Sequence, residues 1–200
     1  MNWPNGLTLG RLVLGPVVLA AVLTGRVRLA FFLFVLAMLS DLYDGYIARR
    51  RNQVTEFGKL MDPLADKVLV SAVLIAFLLV GLPYVPLWIV AVILGRELLI
   101  LGCRTGVVKS GEGFITSRIA KLKTAVQMIW IALILLYLSA VPLLSPAARI
   151  ERAIEVFLYA LALAAVALTI VSGVEYLLNG HALAPDARGC ASSDEEKPHA

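Results

Sequence analysis

The chain has 200 residues, 60% of them hydrophobic, and its mean hydropathy of +0.87 is too high for an ordinary water-soluble domain. Its formal net charge of +4 and pI near 9.2 suit an anionic lipid surface. Nucleic acid is a poor alternative partner, because the Lys and Arg residues lie at the ends of apolar runs and not along one face. The composition therefore indicates a helical membrane protein.

Several apolar runs approach the ~20 residues that a helix needs to cross a ~30 Å hydrocarbon core. They predict an all-α, polytopic membrane protein with six transmembrane helices in one domain over residues 1–179, followed by a disordered cytoplasmic tail over 180–200. In chain order the predicted spans are residues 9–24, 29–50, 56–80, 86–103, 119–140 and 150–178.

The ends of the predicted spans carry local signals. Residues 2–11 are predicted to form an amphipathic juxtamembrane segment in which Pro4 and Gly6 break the helix and Thr8 caps the first span. Glycines at 25 and 81 are expected in turns, and a further turn is expected to begin at Pro142.

Basic residues are concentrated after the second and fourth spans, and fewer lie in the opposite loops. By the positive-inside rule, both termini and the loops after these spans are expected to face the cytoplasm. The residues after spans two and four are Arg49, Arg50, Arg51, Lys59, Arg104, Lys109, Arg118, Lys121 and Lys123, against Arg26, Arg28, Arg149 and Arg152 in the opposite loops.

Four aspartates stand at the ends of two long apolar runs, where an unpaired charge costs several kcal/mol. Asp41 and Asp44 are three residues apart and share one helix face, and Asp62 and Asp66 are four apart on the next helix. If the helices pack side by side, the four carboxylates form an oxygen cage that suits two divalent ions such as Mg²⁺ or Mn²⁺. A role as hydrogen-bonded contacts or a proton relay explains one such aspartate equally well, but not four at these offsets.

The residues around the aspartates favour a phosphate ligand. Gly45, Ala48 and Gly58 remove side-chain bulk where a large ligand would approach the backbone. Arg49 and Thr55 supply a guanidinium and a hydroxyl at the mouth of the site. A two-metal centre with a basic rim is suited to phosphoryl or phosphatidyl transfer.

The pattern D-x-x-D-G-x-x-A-R-x₈-G-x₃-D-x₃-D runs complete from Asp41 to Asp66 and resembles the signature of the CDP-alcohol phosphatidyltransferases. The resemblance implies that Asp41, Asp44 and Asp62 hold metal, and that Asp66 is both a metal ligand and the catalytic base. It also implies a bacterial inner-membrane homodimer that takes CDP-diacylglycerol as donor and releases CMP. The residues that would line the donor's pocket are Gly45, Arg49, Thr55 and Gly58, with Asn5 and Thr8 as candidates that turn formation and capping explain equally well.

Five further pieces of sequence are similar to the members of this family whose acceptor is sn-glycerol 3-phosphate. They are WPNGLTLGR, DPLADKVLVSA, GRELLILGCR, AKLKTAVQ and VSGVEY. Ala120 departs from the glycine expected in the fourth piece. A phosphorylated acceptor needs an anion site, which is expected to comprise Arg96, Arg104, Lys121 and Lys123.

Arg96 lies inside an apolar span and needs an anionic partner, whereas Lys121 and Lys123 are equally well explained as positive-inside anchors. Glu97 points about 100° away from Arg96 around the helix, so these neighbours are not expected to pair.

Two alternative functions keep the aspartates. The same chemistry with another acceptor would make cardiolipin or phosphatidylinositol phosphate. A cation transporter would instead place its carboxylates near the bilayer midplane in two related halves. Here all four lie in one half. Asp41 precedes Arg49 by eight residues, or roughly 12 Å of helix, which predicts a site just beneath the cytoplasmic surface.

Overall fold

The computed structural model describes residues 3–51, 56–109, 118–144 and 147–181, with side chains described for residues 10–40, 65, 67–102, 119–144 and 147–176. This part of the chain forms six α-helices and no strand, which confirms the all-α prediction. The helices are α1 (Trp3–Leu23), α2 (Val27–Arg51), α3 (Glu56–Val80), α4 (Leu87–Lys109), α5 (Arg118–Leu144) and α6 (Ala148–His181). Most of the predicted tail, from residue 182 onward, lies outside the described residues.

The predicted break near the N-terminus is wrong. α1 runs without interruption from Trp3, so Thr8 lies inside the helix and does not cap it. Pro4 is compatible with this helix because the N–H groups of a first helical turn have no intrahelical partner. The glycine at position 6 costs only about 1 kcal/mol in a helix, which is too little to end a helix that packs against α2 and α3.

Two other helices end later than predicted. α4 continues past residue 103 to Lys109, and α5 continues through Pro142 to Leu144 instead of turning there. Proline removes one backbone donor and kinks a helix without always ending it. The predicted glycine turns are confirmed, because Gly25 and Gly81 follow helix ends with φ of 73° and 78°, the left-handed conformation that favours glycine there.

Two helical segments of the described chain, Ile119–Leu144 and Ala148–Tyr176, are long and apolar enough to cross a membrane. Only 33% and 28% of their most apolar windows are buried inside the molecule, unlike a core helix of a soluble protein. Shorter apolar segments occupy Gly10–Leu23, Val27–Ser40 and Lys67–Val80. The described residues are thus consistent with a membrane protein, and the number of spans stays a prediction.

The helices enclose a core of aromatic and branched side chains. α1 packs most extensively against α3, α5 packs against α6 and α2, and α4 packs against α6. Trp130 is fully buried between α5 and α6, and its indole Nε1 donates a hydrogen bond to the Leu158 carbonyl at 3.0 Å. Tyr84, in the turn before α4, stacks edge-on against Tyr137 of α5 with ring centroids 6.1 Å apart. These contacts tie α3, α4 and α6 to α5.

Gly15 allows α1 and α3 to approach each other closely. A Cβ atom on Gly15 would lie 3.3 Å from the Leu69 Cα and from two atoms of Val68, including its carbonyl oxygen. Because two of these atoms belong to the backbone of α3, a side chain at position 15 can be accommodated only if the helices separate. α3 carries two of the four aspartates, so this contact also sets their position relative to α1.

We expect Gly15→Val to lower the free energy of unfolding by about 2 kcal/mol, because its extra methyl groups would force α1 away from α3. Gly10→Val is the matched control, since a Cβ at Gly10 meets no atom within 4 Å. Thermal unfolding of the purified protein in detergent measures both. An equal loss in the two variants would mean that helix propensity, and not the helix contact, sets the effect.

Candidate active site

The structure places the predicted donor-side residues on three helices without describing their side chains. Asp41, Asp44, Gly45 and Arg49 lie in α2, Gly58, Asp62 and Asp66 lie in α3, and Asn5 and Thr8 lie in α1. Arg104 lies in α4, and Thr55 falls outside the described residues. Among the described side chains no three His, Cys, Asp or Glu residues come together. The arrangement of the four aspartates therefore stays a prediction.

Directly after Asp66, three helices bring four charged side chains together. This group, called the Glu97 cluster below, consists of Lys67 from α3, Arg96 and Glu97 from α4, and Lys123 from α5. The Glu97 carboxylate contacts the Lys123 Nζ directly, and it lies 3.4 Å from the Lys67 Nζ and 3.6 Å from the Arg96 Nη1. Lys67 also donates a hydrogen bond of 3.1 Å to the Glu97 backbone carbonyl.

The cluster is largely enclosed and carries unequal charge. The Lys123 side chain is only 2% exposed and the Glu97 side chain 14%. A buried ammonium requires a counter-charge, because removing ions from water costs several kcal/mol for each. Among the side chains that the structure describes, three basic residues surround one carboxylate, a formal excess of two positive charges, which makes the cluster a suitable place for an anion.

Arg96 is held from a second side by α6. Its Nη2 donates a hydrogen bond of 3.0 Å to the Ser172 Oγ, and a Cβ on Gly173 would lie 3.5 Å from the Arg96 Cγ. The Arg96 Nε is buried and has no hydrogen-bond partner among the described residues. The guanidinium is thus held by Glu97 and Ser172, and its Nε–H is not used by any described residue.

A cavity of about 150 Å³ opens beside the cluster. It is similar in size to cavities that bind one small aromatic molecule. Polar groups from α3, α4 and α5 line it together with two apolar side chains. The lining residues are Lys67, Val70, Glu97, Lys123, Thr124, Gln127 and Met128.

The structure brings together two of the four residues predicted to hold the acceptor phosphate, Arg96 and Lys123. Lys121 is exposed and lies outside the cavity lining, and the Arg104 side chain is not described. The expectation that Arg96 and Glu97 do not pair is wrong. Although adjacent residues diverge around a helix, the flexible Arg96 side chain is long enough to bring its guanidinium back to the neighbouring carboxylate.

Sequence reasoning missed Lys67, Glu97 and Gln127 as site residues. Each had a signal, since all are polar positions within apolar stretches, and Gln127 is four residues from Lys123 and so on the same face of α5. Ser172, in the α6 piece VSGVEY, was missed as the partner of Arg96, because only the fold reveals that α4 and α6 meet there.

The helical fold and the aspartate pattern on α2 and α3 define a membrane-associated transferase of phosphate-linked alcohols. The chain belongs to the CDP-alcohol phosphatidyltransferase family, whose family model matches residues 1–174, and this confirms the resemblance found in the sequence.

Within this family, the chain is similar to relatives whose names describe the same activity. The chain is 37% identical over 191 residues to the Bacillus subtilis protein named CDP-diacylglycerol–glycerol-3-phosphate 3-phosphatidyltransferase, with 88% of this chain and 93% of that one covered. It is 38% identical over 183 residues to a probable phosphatidylglycerophosphate synthase of Mycobacterium tuberculosis, covering 88% and 80%. The Escherichia coli protein with the same name as the Bacillus one is 37% identical over 142 residues, covering 67% and 76%.

The carboxylate at the centre of the cluster makes a clear stability prediction. Glu97→Gln removes the counter-charge of the buried Lys123 ammonium, and we expect it to lower the free energy of unfolding by about 3 kcal/mol. Adding Lys123→Met removes that uncompensated charge, so we expect the double variant to recover much of the loss. Thermal unfolding of wild type, both single variants and the double variant gives the coupling energy. Strictly additive losses would contradict the pairing.

Proposed function

We propose that this protein transfers the phosphatidyl group of CDP-diacylglycerol to sn-glycerol 3-phosphate, forming phosphatidylglycerophosphate and CMP. Membership of the family supports the donor. The names of the Bacillus, Mycobacterium and Escherichia relatives support the acceptor. On this proposal the protein is a phospholipid-synthesising enzyme of the bacterial membrane.

The observation that carries the acceptor is the charge of the Glu97 cluster. A phosphate monoester approaches two negative charges at neutral pH, which the excess of two positive charges at the cavity would balance. Lys67 is the residue next to Asp66 in α3. An acceptor whose phosphate lies beside Lys67 would therefore have its hydroxyl close to the proposed base.

The proposed reaction replaces one phosphoester bond with another. An acceptor hydroxyl oxygen bonds to the phosphorus of the phosphatidyl group, and the bond from that phosphorus to CMP breaks, so that CMP leaves with the electron pair. Asp66 takes the hydroxyl proton as general base. Lys67 and Lys123 hold the acceptor's phosphate, and Arg96, fixed by Ser172, adds its charge.

Members of the family are generally dependent on divalent metal. The donor set fits such an ion, because Asp41, Asp44, Asp62 and Asp66 offer only carboxylate oxygens, the ligands that Mg²⁺ and Mn²⁺ prefer. Two bound divalent ions would neutralise charge on the donor's pyrophosphate. In the same proposal Gly45, Arg49 and Gly58, with Thr55 beside them, line the nucleotide pocket, to which Asn5 and Thr8 contribute.

The proposal includes a membrane topology and a cellular location. We infer six membrane spans, a domain over 1–179 and a tail over 180–200, with the active site and both termini at the cytoplasmic face of the inner membrane. The basic residues after α2 and α4 support this orientation. We also propose a homodimer, on the resemblance to the family alone.

Steady-state kinetics with CDP-diacylglycerol, sn-glycerol 3-phosphate and Mg²⁺ test the roles. We expect Lys123→Met to raise the KM for the acceptor at least roughly 30-fold, because a buried partner of the phosphate is lost. We expect Asp66→Asn to lower kcat by roughly 100- to 10,000-fold, the usual contribution of a general base.

Lys121→Met is the matched control for the loss of a lysine charge, since Lys121 is exposed on the same helix, and we expect a much smaller change in KM. A wild-type protein that forms no lipid phosphate from glycerol 3-phosphate, or that prefers inositol phosphate or phosphatidylglycerol as acceptor, would contradict the proposal.

Metal removal tests the aspartates independently of the acceptor. We expect a chelator to stop CMP release and added Mg²⁺ to restore it. In the absence of substrates, Mg²⁺ should raise the melting temperature of the wild type by mass action but not that of Asp44→Asn/Asp62→Asn. An equal rise in that double variant would show that the stabilising ion binds elsewhere.

A further inference from the structure

Gln127 is a buried polar residue that the site described so far does not use. It is 3% exposed, lies one turn after Lys123 on α5, and lines the cavity beside the Glu97 cluster. None of the described residues hydrogen-bonds its side-chain amide. A glutamine amide has two N–H donors and an accepting oxygen, and those of Gln127 are not among the fully enclosed unpaired atoms of the described residues, so they are open to the cavity. A ligand in the cavity would satisfy them.

The other lining groups are already assigned by their contacts. Lys67 and Lys123 direct their ammonium groups to Glu97. The Thr124 hydroxyl donates to the Ala120 carbonyl at 3.1 Å, and Val70 and Met128 are apolar. The amide is therefore the neutral polar group of the cavity best able to both donate to and accept from a neutral part of a ligand.

Such a group matches a hydroxyl better than a phosphate. A phosphate is served by ammonium and guanidinium groups, which form stronger charge-assisted hydrogen bonds. A hydroxyl donates one hydrogen bond and accepts others, which the amide oxygen and N–H groups complement. In an acceptor with two hydroxyls, one attacks the phosphorus and the other remains intact. The less hindered primary hydroxyl is the better nucleophile, so the secondary hydroxyl is the one that remains to be hydrogen-bonded by the protein.

We propose that Gln127 is a specificity-determining residue that hydrogen-bonds the secondary hydroxyl of the acceptor while Lys67 and Lys123 hold its phosphate. The inference rests on the proposed function and deepens it. It assigns the recognition of a hydroxylated phosphate monoester, as distinct from any small phosphate monoester, to one side chain of α5.

The test compares sn-glycerol 3-phosphate with 3-hydroxypropyl phosphate, which lacks only the secondary hydroxyl. The measured quantity is the ratio of kcat/KM for the two acceptors or, where the analogue turns over too slowly, the ratio of its inhibition constant to the KM of glycerol 3-phosphate. We expect the wild type to prefer glycerol 3-phosphate by roughly 10- to 100-fold, the value of one buried hydrogen bond.

Gln127→Met keeps the length of the side chain and removes the amide. We expect it to act on glycerol 3-phosphate and the analogue within about threefold of each other, because each acceptor would lose or lack the same hydrogen bond. Met128→Leu reshapes the same cavity without a polar change, and we expect it to keep the wild-type preference. Gln127→Leu serves as a second apolar variant if the first is poorly folded by thermal unfolding.

A Gln127→Met enzyme that keeps a preference of tenfold or more would overturn the inference, as would a wild type that does not distinguish the two acceptors. Either result would leave the proposed function standing, because both are measured on an enzyme that uses glycerol 3-phosphate. A wild type that uses neither acceptor would instead remove the proposed function itself.

Discussion

The proposed acceptor site depends on the ion pairing of the Glu97 carboxylate with three cations from α3, α4 and α5. Inside a largely apolar helical bundle, none of these cations would be stable without a counter-charge nearby. This carboxylate provides the counter-charge of the buried Lys123 ammonium, and among the described side chains it is outnumbered by three basic residues. The Glu97 cluster is therefore a positively charged group at a fixed position, which a substrate anion can neutralise.

The position of α3 determines where the Glu97 cluster lies relative to the aspartates. Gly15 lets α1 lie against the α3 backbone at Val68 and Leu69, directly after Lys67. Packing with α4 and α5 orients the other side of α3. A single helix therefore carries Asp66 and Lys67 as neighbours in sequence, with a side chain for the proposed base and a side chain for the anion site about 100° apart around its axis.

Much of the fold and one part of the site follow from the sequence. The length of the apolar runs predicts every helix of the described chain, because the burial of apolar side chains governs where helices lie. It failed at Pro4 and Pro142, where the position of proline within a helix decides its effect. The charged residues Arg96 and Lys123 were recognisable by residue type, but Glu97 as their common partner and Ser172 as a support depend on which helices meet. Spacing along one helix contains no such information.

The four aspartates and the Glu97 cluster carry opposite charges, and this difference suits a reaction between two phosphate-bearing substrates. On the proposed function, the four aspartates of α2 and α3 would repel the donor's pyrophosphate, so the donor would require cations from solution on that side. The Glu97 cluster contains its own cations, so an acceptor phosphate bound there would need no metal. Separating the two sources of positive charge keeps the two anionic substrates in different places. On the proposed function, each phosphate would bind on its own side of α3, which would leave the acceptor's hydroxyl between the two sites and close to the phosphorus that it attacks.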